Sequence, residues 1–132
     1  MSTRVALVMS VAMIEEVQQK IEDAAAEVFE QLGGAGYAEN IYQRALQIEL
    51  KIRGLESSEE VPCVVLYKSR AIGVGRIDLL VHEPTVVIEL KAIQRLNVSA
   101  EKQLKGYMRA MGASAGVLVN FGPDAVECKR LS

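Results

Sequence analysis

The segment AIGVGRIDLLVHEPTVVIELK, residues 71–91, decides the fold. It contains two apolar, β-branched runs, Ala71 to Val81 and Thr85 to Leu90, separated by a turn at His82 to Pro84. Runs of this length bounded by turn residues read as strands, and so short a turn lays the second antiparallel beside the first. Into this pair the chain sets Asp78, Glu89 and Lys91. Charge among Val, Ile and Leu is costly to desolvate unless it is paired or holds a metal, so the trio marks a candidate working site.

Side chains alternate along a strand. Glu89 and Lys91 are therefore expected to share one face of their strand while Ile88 and Leu90 share the other. Arg76, Asp78 and Leu80 are expected to share a face of the preceding strand. Antiparallel pairing then brings Asp78 toward Glu89. Two converging carboxylates repel unless a hard cation lies between them, and Mg²⁺ accepts one or two carboxylates together with carbonyls and waters. The Lys91 ammonium beside such a metal would orient a water or steady the charge that develops at phosphorus during in-line attack. Taken alone, Glu89-Leu90-Lys91 is better read as a surface ladder of charges paired across strands. Its surroundings change that reading.

Outward from this pair, Val61 to Tyr67 and Ala115 to Phe121 have the same strand texture, and an acidic loop, Glu56 to Glu60, leads into the first of them. A helix from Ser99 to Met111 carries Leu104, Met108 and Met111 as its apolar stripe. Upstream, Ile14, Val17, Ile21, Ala24, Ala25, Val28 and Leu32 recur at three- and four-residue steps, the spacing of an amphipathic helix. Gly33-Gly34-Ala35-Gly36 ends it, and a second helix runs from Ala38 to Arg53. The glycine run reads as an inter-helix turn rather than a phosphate loop, because no strand precedes it and no Lys-Ser/Thr pair follows. The order is α-α-β-β-β-α-β, with Ala125 to Leu131 as a candidate last strand. This predicts a single α/β domain, residues 14–132, built on a mixed β-sheet flanked by helices, with residues 1–13 as an N-terminal extension.

A chain of 132 residues can bury one core without disulfides or structural metal. With 24% charged and 50% hydrophobic residues it fits neither a disordered nor a membrane protein. Charge is segregated: residues 1–60 hold 5 Lys/Arg against 11 Asp/Glu, and residues 61–132 hold 10 against 6, so the C-terminal half can meet a phosphate backbone. Cys63 and Cys128 form no CxxC or Cys/His cluster and His82 is the only histidine, which argues against zinc. Reduced thiols point to the cytoplasm, or to the nucleus in a eukaryotic or viral setting. Arg4 with Val5 to Met9 and Val11 to Ile14 imitates a signal peptide, but the stretch is interrupted and an acidic helix follows at Glu15, so secretion is not expected.

Gly75-x-x-Asp78, Glu89-x-Lys91 and Gln103-x-x-x-Tyr107 stand in an order and spacing that resembles the PD-(D/E)xK nuclease superfamily, especially its RecB-like branch. Gly36-x-x-Glu39-x-x-Tyr42 looks like the signature of the small GxxExxY proteins of that superfamily, and Gly116 to Gly122 resembles their C-terminal segment. The resemblance extends from Ile14 to Arg130. Ile77 stands where the pattern has proline, a residue often absent in the RecB-like branch.

The resemblance implies a restriction-endonuclease-like core and a Mg²⁺-dependent nuclease acting on DNA, with Mn²⁺ as a substitute. The alternative is an inactive nuclease-fold module that binds nucleic acid or a protein. It assigns catalysis to Asp78, Glu89, Lys91, Glu39 and Gln103, and metal binding to Asp78, Glu89, Glu39 and the Leu90 carbonyl. Substrate contact would fall to Tyr107, Arg76, Lys105 and Arg109. No membrane is implied, and a homodimer is compatible with the sequence. Without a recognition helix or an aromatic array, base-specific readout is not expected.

Overall fold

Ser2 caps the first helix, its hydroxyl accepting from the Val5 N–H at 3.2 Å. In a computed structural model that describes residues 2–132, α1 (Thr3–Gln31) then runs unbroken. The helix thus starts well before the expected Ile14, because neither Gly nor Pro stands between to stop it. What changes near Ile14 is packing. Val5, Leu7, Val8, Met9, Val11 and Met13 are exposed, whereas Val17, Ile21, Ala24, Ala25 and Val28 are buried. The connection to α2 (Glu39–Ile52) turns on Gly33, Gly34 and Gly36, all at positive φ, as an inter-helix turn requires. Tyr42, Leu46 and Leu50 are the buried stripe of α2.

Five strands follow, with one helix among them: β1 (Ser57–Tyr67), β2 (Arg70–Val81), β3 (Val86–Lys91), α3 (Val98–Met111), β4 (Ala115–Phe121) and β5 (Val126–Leu131). The sheet order is β1-β2-β3-β4-β5. Pairing is antiparallel except between β3 and β4, where α3 makes the crossover. This is the expected mixed sheet with helices on its faces. Strand β1 begins earlier than expected, because Ser57, Ser58 and Glu59 pair with Val81, Leu80 and Leu79 instead of forming a loop. As an edge strand β1 keeps one side in water, so acidic residues are tolerated there. Lys68 and Ser69, both at positive φ, close the β1–β2 hairpin between the paired residues Tyr67 and Arg70.

The central strands β3 and β4 are buried on both sides, as parallel-paired strands with helices on each face must be. Val86, Ile88, Leu90, Val117 and Val119 pack beneath α1 and α2. Val87 and Leu118 join Cys63, Ile77, Leu80, Leu104 and Met108 beneath α3. Cys63 and Cys128 are free thiols on β1 and β5, the two opposite edges of the sheet.

Leu104 is fully buried between α3 and the sheet. Leu104→Ala is expected to cost about 2–5 kcal/mol, read as a lower urea midpoint with an unchanged m-value.

Candidate active site

Strands β2 and β3 hold registered pairs at Leu79 with Ile88, Leu80 with Val87 and Val81 with Val86. Beyond Leu79 and Ile88 the ladder stops and carboxylates take its place. Glu89 Oε1 accepts from the Asp78 N–H at 3.2 Å, and Asp78 Oδ2 accepts from the Leu90 N–H at 2.8 Å. Each acid therefore satisfies a backbone donor on the other strand, and the two carboxyl groups are fixed in the notch where the strands part.

The alternation of β2 breaks at the same point. Ile77 and Leu80 both lie in the α3-side core, whereas Leu79 and Val81 lie beneath α1 and α2. The expected common face for Arg76, Asp78 and Leu80 is thus corrected, since a strand that kept its alternation would place Ile77 with Leu79. The partner strand changes facing with it, for Glu60 has φ of 51° and stands between the pairs Glu59 with Leu79 and Val61 with Ile77. On β3 the alternation holds, with Ile88 and Leu90 on the α1 side.

Lys91 and Glu89 lie two residues apart on β3, and the Lys91 ammonium donates to Gln103 Oε1 at 2.9 Å. Gln103 Nε2 donates in turn to the Tyr107 hydroxyl at 3.3 Å, so the i and i+4 positions on α3 form one relay toward the lysine. The glycine of Gly75-x-x-Asp78 has its reason here: a Cβ on Gly75 would lie 2.6 Å from Tyr107 Cε1.

Glu39 occupies the first turn of α2, and the surrounding loop is held by Tyr42. The Tyr42 hydroxyl donates to the Gly34 carbonyl at 2.8 Å and accepts from the Tyr37 N–H at 3.4 Å, and its ring stacks on Phe121 at 4.4 Å. Burial raises the Glu39 pKa, and the charges of Asp78 and Glu60 raise it further against the opposing pull of Lys91. Asp78 is also raised, by burial first.

Glu89 is 3% exposed, and burial, followed by the charge of Asp78, pushes its pKa up to about 8. Among the described residues no ion pair includes Glu39, Asp78, Glu89 or Lys91. Nor are three His, Cys, Asp or Glu side chains grouped to hold a metal ion among them. The donor set on offer for a cation is thus two carboxylates in a notch without a salt-bridge partner, which fits a hard ion that takes one or two carboxylates and fills its shell with water.

Arg76 is exposed on β2, Lys105 is exposed on α3, and Arg109 is exposed on α3 two residues after Tyr107. None of these three joins the hydrogen-bonded set around Lys91. Two residues near the site escaped sequence reading. Glu60 accepts from buried Gln43 Nε2 at 3.0 Å and contributes to the raised pKa of both Asp78 and Glu39. Its only signal was its place at the end of an acidic run. Asn120, fully buried, accepts from the Ile93 N–H and donates to the Ile93 carbonyl, both at 2.9 Å, and so pins the chain just past Lys91.

A mixed five-stranded sheet with helices on both faces and acids at the parting of two strands is the restriction-endonuclease-like arrangement. A family model for the PD-(D/E)XK nuclease superfamily matches residues 15–131. The chain belongs to that superfamily. The crystal structure of SSO0001 is similar in fold, with a TM-score of 0.61 and 22% identity over 71% of this chain and 50% of that one. The chain thus spans about half the length of SSO0001. No curated protein matches the sequence. Among the described residues no helix is long and apolar enough to cross a membrane.

A carboxyl whose folded pKa lies above its unfolded value takes up a proton on folding, so it weakens the fold as pH rises between the two values. For Glu89 that window runs from about 4.5 to about 8. In chelator, the melting temperature of the wild type is expected to fall between pH 5 and pH 8.5. Glu89→Gln, which keeps an acceptor for the Asp78 N–H, should flatten that dependence and melt about 5 °C higher or more at pH 8.5. Gly75→Ala is expected to cost about 1–3 kcal/mol by displacing Tyr107, and much less in a Tyr107→Ala background. A double-mutant cycle on thermal unfolding measures that difference.

Proposed function

We propose that the chain is a Mg²⁺-dependent nuclease that hydrolyses phosphodiester bonds of DNA. The observation that carries this reading is the notch itself. Two carboxylates from neighbouring strands are held there without a cationic partner, close to an ammonium steadied by Gln103. Asp78 and Glu89 would hold the metal, with the Leu90 carbonyl beside them and Glu39 reaching it through water; Mn²⁺ would substitute. The bound cation would supply Lewis-acid polarisation of the phosphoryl group and neutralise developing charge.

The protein's own part is positional. Lys91 donates to the attacking water or to a phosphoryl oxygen, and Gln103 keeps its ammonium from pairing with the acids. Glu60 adds negative potential that would attract a cation to the notch as it does a proton. Arg76, Lys105, Arg109 and Tyr107 are the proposed contacts to the substrate backbone. The placement of Glu39 by Gly36 and Tyr42 supports a position in the RecB-like branch with the GxxExxY proteins.

Labelled single-stranded, duplex and branched DNA, incubated with Mg²⁺ or Mn²⁺, tests the proposal. Cleavage is expected from the wild type and none in chelator. Asp78→Asn and Lys91→Ala should each lower the rate by about 10²–10³-fold, with DNA affinity changed by less than about threefold. Cleavage by both variants at the wild-type rate would reject the site. Tight binding without cleavage by any form would instead favour the inactive module.

A further inference from the structure

Glycine in the interior of a helix weakens it, so an interior glycine needs a reason. Gly33, Gly34, Gly36, Gly54 and Gly112 lie at positive φ, and a Cβ on Gly75, Gly116 or Gly122 would meet atoms at 3.1 Å or closer. Gly73 and Gly106 have neither excuse, since a Cβ at either would meet nothing within 4 Å. Gly106 sits inside α3, and Gly73 pairs with Val65 on β1. Gly106 lines a groove of about 460 Å³ between α3 and the β1 edge, with Val64, Val65 and Leu66 on one side and Lys102 and Arg109 beside the glycine on the other, and Gly73 lies behind one wall as the partner of Val65.

We propose that this groove seats an unpaired DNA strand adjoining the scissile phosphate, an inference that rests on the nuclease reading above. The lining carries two cations and no acid, the pattern that suits a phosphate backbone. The one acid on α3, Glu101, is engaged by Lys129 of β5. The opposite wall is apolar, with Val65 and Leu66 exposed, and offers a surface for base faces without sequence readout. Gln103 and Tyr107 also line the groove, and Gln103 holds the Lys91 ammonium, so a strand lying in it leads directly to the reacting centre. The volume is that of a small-molecule pocket, far too small for a duplex. Gly106 keeps the floor clear: any side chain there would project into the space the strand occupies.

Fluorescence anisotropy in chelator, where no cleavage intrudes, provides the test. A labelled single-stranded oligonucleotide should bind the wild type about tenfold or more tightly than a blunt duplex of the same length. Gly106→Leu should weaken single-strand binding about tenfold or more without lowering the melting temperature, because leucine favours a helix over glycine. Lys102→Ala with Arg109→Ala, both at the exposed surface, should reduce the slope of log K against log salt by about 1.4. Wild-type affinity in a folded Gly106→Leu, an unchanged salt slope in the double variant, or preference for the blunt duplex would each overturn the groove assignment. The nuclease reading fails separately: loss of single-strand binding in Gly106→Leu with no cleavage by the wild type in Mg²⁺ would retain the groove and reject catalysis.

Discussion

The structure turns on the point where β2 and β3 part. A sheet that opens inside a protein leaves backbone N–H groups that must find acceptors. Here the acceptors are the carboxylates of Asp78 and Glu89, each reaching across to the other strand. The same contacts that close the fold's hydrogen-bond account also bring two acids side by side where burial outweighs the pull of Lys91 and no salt bridge forms. Burial raises both their pKa values, so a proton or a cation is required for the notch to be at ease. Folding thus builds an electrostatic deficit, and a ligand that fills it adds its binding energy to stability.

Around the notch, each neighbouring element contributes one charged or polar group and one device that holds it. Glu39 rides on α2, whose entry is fixed by the Tyr42 hydroxyl and by stacking on Phe121. Lys91 is steadied from α3 by Gln103, which donates to Tyr107, and Tyr107 fits only because Gly75 has no side chain. Asn120 clamps the backbone beyond Lys91 by pairing with both polar groups of Ile93. These groups sit on rigid strands and helices, which is how a site keeps its geometry through a reaction.

Much of this was legible because it is periodic or local. The β-branched runs predicted every strand to within a few residues, and the i, i+4 spacing of Gln103 and Tyr107 placed them correctly on one helical face. What the sequence concealed depends on register. A strand whose facing changes at one residue has the same composition as one that does not, so the break at Asp78 was invisible, and Glu60 looked like its neighbours Glu56 and Glu59. The start of α1 was missed for another reason. Apolar periodicity reports where a helix packs, and residues 3–13 are helical without packing.

The motifs divide physically into two kinds of residue. Gly36, Tyr42, Gly75, Tyr107 and Asn120 act on conformation and packing, and a change at any of them moves its neighbours. Asp78, Glu89 and Glu39 act through charge that the fold finds unfavourable, as their raised pKa values record. A residue kept only for stability would not leave a carboxylate 3% exposed without an ionic partner, because a neutral amide could accept the same N–H at lower cost. With its pKa pushed up to about 8, the Glu89 carboxyl holds a proton near neutral pH, and under the proposed function a cation brought to the notch would take that proton's place without altering any contact that holds the strands apart.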